Sequence, residues 1–166
     1  GNANTFIVNG TPTQTVDTPS NVFATMNPLY KWDNVFNYSN GNLSLTGNGN
    51  SWSGSIASLG ISKGKYYFEA KFTSATDIGA FYIGFGGLDD FLLSSPAFRN
   101  AVSFYNNDGG EISVGDTSNV TTTTADYGTF ANGDIIGVAL DYDNELITIY
   151  KNGSAIVTNF DYGATT

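Results

Sequence analysis

Two pairs of carboxylates offer this sequence its first route to chemistry. Glycoside hydrolysis needs two acids, one held protonated and one ionised, on either side of the scissile bond, and the available pairs are Asp89-Asp90 and Asp141/Asp143. Neighbouring strand residues point to opposite faces, so an extended segment separates Asp89 from Asp90. Asp141 and Asp143 fall at a hairpin end, where Asp serves turn formation. All four therefore read first as turn or solvated acids. Hard oxygen ligands make calcium the only metal with a donor set here. The richest cluster is Asn106-Asn107-Asp108-Gly109-Gly110-Glu111, with Asp89-Asp90 second. Neither has the spacing of an EF-hand loop, so a hairpin turn is favoured over a metal loop and no cofactor is expected. Sugar recognition would use aromatic faces beside amide and carboxylate groups, and Tyr30, Trp32, Trp52, Tyr82 and Tyr105 are available. Most aromatics of a β-rich chain belong to its core. Trp32, in the polar stretch from Tyr30 to Asn37, is the hardest to place there. Phe91-Leu92-Leu93, beside Asp89-Asp90 and before Pro96, either folds over the core or presents an interaction patch.

Composition removes most other chemistry. The 166 residues contain no His and no Cys, which takes away histidine general bases, Ser-His-Asp and Cys-His triads, and the usual ligands of zinc, copper and iron. Six basic against 15 acidic side chains give a net charge of −9 and a pI near 4.1. The cations are scattered from Lys31 to Lys151, so a nucleic-acid partner is not expected. Apolar runs are short and broken by Gly, Asn or charge, so neither is membrane insertion. The chain opens at Gly1 with no signal-like stretch and reads as processed, or as a piece of a longer polypeptide.

Few charged residues (13%), 14% aromatics and 20 glycines define an all-β composition. Turn dipeptides punctuate it: Asn40-Gly41, Asn132-Gly133 and Asn152-Gly153, with Asp108-Gly109. Between them lie runs of period two. Tyr66, Phe68, Ala70 and Phe72 share one face, and Tyr67, Glu69 and Lys71 share the other. Phe81, Ile83 and Phe85 repeat the pattern. Ile136, Val138, Leu140 and Tyr142 form one arm of a hairpin whose second arm runs from Glu145 to Tyr150, and a turn at Lys151-Asn152-Gly153 leads into Ala155 to Phe160. The fold predicted is an antiparallel β-sandwich over 21–166. The Thr- and Pro-rich residues 1–20 are expected to form an extended arm or linker.

The order of these elements carries a resemblance. Gly64-Lys65-Tyr66-Tyr67-Phe68-Glu69, then Ile83-Gly84-Phe85-Gly86, then Tyr127 to Asp134, Ile136-Gly137-Val138-Ala139-Leu140-Asp141 and Tyr150-Lys151-Asn152-Gly153 resemble a SPRY domain over roughly Asn21 to Phe160. The lead-in Asn21 to Leu29, followed by Tyr38-Ser39-Asn40-Gly41-Asn42-Leu43, looks like that of SPRY-bearing bacteriophage virion proteins. The resemblance implies a concanavalin-like jelly roll with no enzymatic activity, on a virion or otherwise extracellular. Its partners would be a host-surface glycan or protein, or other virion or filament subunits, in a homo-oligomer. The alternative is a purely structural subunit assembling through its arm and an open sheet edge. SPRY domains normally continue beyond the last hairpin, so the sandwich is expected to lack its final strands, with a neighbouring chain completing the edge. Ligand contacts are expected in the loops Trp32 to Asn37, Asp89 to Arg99 and Tyr105 to Asp108. The residues singled out are Trp32, Asp89, Asp90, Phe91, Arg99, Tyr105, Asn107 and Asp108.

Overall fold

The computed structural model describes residues 23–32, 36–47, 54–73, 81–87, 101–106, 109–115, 120–122 and 125–165. Residues 1–20 lie outside that set, as do Trp52, Asp89 to Arg99, Asn107 and Asp108. The first strands are β1 (Met26–Trp32), β2 (Phe36–Ser39), β3 (Ser44–Gly47) and β4 (Gly54–Ala57). They form two antiparallel ribbons, β1 with β4 and β2 with β3. The β1–β4 register slips between Met26 and Lys31. Pro28, which has no N–H to give a ladder, falls within that irregularity. Leu29 N donates there to Asn27 Oδ1 at 3.0 Å.

Eight further strands build two four-stranded antiparallel sheets. One contains β5 (Lys65–Lys71), β10 (Ile135–Asp141), β11 (Leu146–Lys151) and β12 (Ser154–Asp161), in the order β12-β11-β10-β5. The other contains β6 (Tyr82–Gly86), β7 (Ala101–Tyr105), β8 (Glu111–Gly115) and β9 (Val120–Thr122), in sequence order. The alternation read from the sequence decides which side of each sheet is buried. Ile136, Val138 and Leu140 of β10, Ile147 and Ile149 of β11, and Val157 of β12 meet Val102, Phe104, Ile112 and Val114 of the second sheet in one core. Phe68 crosses between the layers to Phe85, ring edge to face at 5.4 Å. Burying each such side chain contributes roughly 1.5–3 kcal/mol, and the two layers together make the sandwich.

Polar pins fix the connections. Asn152 and Gly153 both have positive φ, 50° and 82°, making the two-residue hairpin between Lys151 and Ser154. Asn152 Oδ1 accepts from Ile135 N at 2.9 Å, and its Nδ2 donates to Asp134 Oδ1 at 2.7 Å. Asp134 also accepts from Ala131 N through Oδ2 at 2.8 Å and pairs with Lys151 Nζ at 3.1 Å. The Asn152 amide, with the Ala131 N–H and Lys151 behind it, holds the Asp134 carboxyl below the usual carboxylate range. Asn106 is buried and bonds the backbone of Phe130 on both sides: Phe130 N donates to Oδ1 at 2.7 Å, and Nδ2 donates to Phe130 O at 3.4 Å. That anchors Phe130 edge-on to Phe104 at 5.2 Å.

Candidate functional site

The outer face of the β12-β11-β10-β5 sheet carries a constellation that local sequence reading did not single out. Tyr67, on β5, lies across Gly137 of β10: a Cβ at Gly137 would collide with the Tyr67 hydroxyl and sit 3.1 Å from its ring. The missing side chain thus lets an aromatic lie flat along the sheet, one of the uses of Gly inside a strand. Tyr67 remains 55% exposed, meets the Tyr150 ring edge-to-face at 6.0 Å, and donates from its hydroxyl to Glu69 Oε1 at 2.7 Å. That bond to a carboxylate raises the tyrosine pKa.

Asn159 reaches the same face through a distortion of β12. The β11–β12 register shifts between Ile147 and Ile149, and again between Ile149 and Tyr150; Asn159 adopts φ 47°. Bulges of this kind re-aim side chains. Asn159 N donates to Thr148 Oγ1 at 3.0 Å, and Thr148 Oγ1 donates back to Asn159 Oδ1 at 3.3 Å. Lys65, Tyr67, Asp141, Thr148, Tyr150 and Asn159 line a shallow depression of about 320 Å³.

Its charges are already paired. Lys65 Nζ lies 2.8 Å from Asp141 Oδ2, and Asn144 Nδ2 donates to that oxygen at 2.9 Å. Lys65, with Asn144 behind it, lowers the Asp141 pKa, and Asp141 raises that of Lys65. Asp143 Oδ1 caps Gly64 N at 3.0 Å. Asp143 is thus a turn acid, as its hairpin position predicts, whereas Asp141 ends β10 and is ion-paired with Lys65. The second oxygen of Asp141, Oδ1, is buried and has no hydrogen-bond partner among the described residues.

The residues expected to bind ligand fare differently. Trp32 is a strand residue, not a loop residue: it ends β1, paired with Gly54. Asn37, the far end of that proposed loop, is in β2. Tyr105 likewise ends β7 rather than opening a loop, and its ring stacks on its cross-strand partner Tyr82 at 4.1 Å and 6°. The stacked Tyr82–Tyr105 pair stabilises its sheet, and in both segments long-range strand pairing overrides the polar context that marked them as loops. Asp89, Asp90, Phe91, Arg99, Asn107 and Asp108 lie outside the described residues. In the cluster considered for calcium, Asn106 Oδ1 accepts from Phe130 N instead. The Thr121 segment is the edge strand β9.

Two layers of antiparallel sheet make the sandwich, and its outer face carries Tyr67 and Tyr150 beside the Lys65–Asp141 ion pair. The SPRY domain family matches residues 65–164, well over half of the 166 residues, and the chain belongs to that family. The match begins at the first residue of β5, so the lead-in of Asn21 to Leu29 and Tyr38 to Leu43 falls outside it. Family membership points to a protein–protein interaction module. No curated protein matches the chain at a significant level.

Proposed function

We propose that the chain is a non-catalytic recognition module that engages its partner through the outer face of β5, β10, β11 and β12. One observation carries this reading: Tyr67, exposed and laid over Gly137, shares a depression with Tyr150 and with the bulge-turned Asn159. Exposed tyrosines supply large contact area at low entropic cost, and interface hot spots are enriched in them. The reading gives Asp141 no proton-transfer role, because its ion pair with Lys65 at 2.8 Å favours the charged form.

The likeness of the lead-in to SPRY-bearing phage proteins supports a finer assignment, to the exposed surface of a virion, where the module contacts a host-surface protein or glycan. A charge of −9 suits such a surface by opposing nonspecific association. A second reading, assembly into a structural polymer, is favoured by the position of β12 at a sheet edge; an arm from a neighbouring subunit would then complete the sandwich. Arrays of host-surface proteins and glycans, probed with wild type, Trp32→Ala and the double variant Tyr67→Ser/Tyr150→Ser, separate the alternatives. Signal lost only in the double variant supports the face. Equal signal from all three refutes it, and silence on the arrays together with rings or filaments in micrographs favours the polymer.

A further inference from the structure

Tyr67 and Tyr150 meet nearly at a right angle, and a carboxylate stands at the end of one ring. Glu69, Gly137 and Tyr150 form one row across β5, β10 and β11. Because Gly137 has no side chain, the Tyr67 ring fills the middle of that row from the neighbouring outward position of β5. It meets the Tyr150 ring at 6.0 Å and 84°, an aromatic corner on a surface where Tyr67 is more than half exposed. The Tyr67 hydroxyl donates to Glu69 Oε1 at 2.7 Å, and such a charge-assisted bond polarises the phenol toward a more electron-rich ring. Glu69 is itself exposed. Its other oxygen, Oε2, takes no hydrogen bond from the described residues. Nor does Glu69 form an ion pair among them, since Lys65 is committed to Asp141 and Lys151 to Asp134.

Those groups select the sign and shape of a guest. An aromatic face attracts a cation placed within about 6 Å of its centroid, and the carboxylate beside it favours the same sign. An anion would meet Glu69 and a chain of net charge −9, and an apolar group would gain nothing from the carboxylate. A guanidinium uses both features at once, because its plane stacks on a ring while its N–H fork donates to a carboxylate. An ammonium, a compact and strongly hydrated point charge, has no plane to stack. We propose that the corner takes the guanidinium of an arginine presented by a partner protein, stacked on the exposed tyrosine and donating to Glu69 Oε2. The inference rests on the recognition face proposed above and adds the chemistry of the partner to it.

The test titrates the full 166-residue chain with acetyl-Gly-Arg-Gly-amide and with its lysine and citrulline equivalents, following amide and tyrosine-ring chemical shifts. The arginine peptide should give saturable shifts at Tyr67, Gly137 and Tyr150, with upfield ring-current shifts of its own side-chain protons. Citrulline keeps the shape and loses the charge, so its peptide should bind at least about threefold more weakly, with the lysine peptide between the two. Glu69→Gln should weaken the arginine peptide by about twofold to fivefold, and Tyr150→Leu by a similar factor. Asp126→Asn removes the same charge from an exposed position outside this sheet and should leave binding unchanged. Glu69 is exposed, so Glu69→Gln should melt with wild type, and the comparison of peptides requires no variant. Absence of saturable shifts, arginine bound no tighter than lysine or citrulline, or equal loss in Glu69→Gln and Asp126→Asn would each overturn the inference. The two claims fail separately. An array partner lost by Tyr67→Ser/Tyr150→Ser yet held in full by Glu69→Gln leaves the face in place without its arginine, whereas one held equally by every variant removes both.

Discussion

Asn106→Ala removes the side chain that satisfies both backbone groups of Phe130, and its cost can be worked from the geometry. The substitution takes the acceptor from Phe130 N, now bonded at 2.7 Å, and the donor from Phe130 O, a longer contact at 3.4 Å. Phe130 is itself buried, so water does not simply replace the amide. One stranded N–H costs about 1–3 kcal/mol, and the weaker bond adds about 0.5–1 kcal/mol. The total, about 2–4 kcal/mol, is a large fraction of the stability of a typical domain. In urea, with a slope of about 2 kcal/mol/M, the midpoint should fall by roughly 1–2 M at unchanged slope, and the Tm should fall by roughly 4–16 °C. Asn106→Asp sharpens the test. At neutral pH it sets a carboxylate against the Phe130 carbonyl and should be at least as damaging, whereas acidification restores a donor and should recover part of the loss. An Asn106→Ala midpoint within about 0.3 M of wild type, equivalent to roughly 0.6 kcal/mol, would refute the role assigned to this amide.

Other outcomes follow from the same geometry. Asp134 has a lowered pKa in the fold, chiefly through the Asn152 amide, so its contribution is present above the ordinary carboxylate value of about 4 and is lost as pH falls through the folded value. Asp134→Asn should therefore flatten the acid limb of the stability curve below about pH 4, as read by urea melts across pH. Tyr82 is pushed up to about 12 by burial first, then by Tyr105 and Glu111. Its stabilising share is intact below about pH 10 and disappears as pH rises through that higher value, so ultraviolet titration of Tyr82→Phe should show one late-ionising tyrosine fewer than wild type, with Tyr67 still ionising late. Gly137→Ala should displace the Tyr67 ring, weakening partner binding about tenfold while lowering the Tm by only a few degrees; unaltered binding would separate Tyr67 from the site.

Much of the sandwich was legible because its strands obey a strict period. The alternation of Tyr66, Phe68, Ala70 and Phe72 against Tyr67, Glu69 and Lys71 located β5 within a residue of its observed bounds, and Asn152-Gly153 announced its hairpin. The tyrosine face was hidden because β5 joins β10, a strand far along the chain, and no local pattern reports that pairing. Gly137, an isolated glycine inside an otherwise apolar strand, was the available signal of a close approach. The bulge that turns Asn159 onto the face leaves no comparable mark in the residues from Ser154 to Asp161. Trp32 and Tyr105 were misplaced for a related reason: their polar neighbours resemble loops, while their strand partners, Gly54 and Tyr82, lie 22 and 23 residues away.

Hydrogen–deuterium exchange of the chain with and without a ligand identified on the arrays asks most directly which surface recognises it. Protection centred on Tyr67, Gly137 to Ala139, Thr148 to Tyr150 and Asn159 is the predicted footprint. Protection confined to 32–37 and 89–99, with these four segments exchanging as in the free chain, would contradict the account.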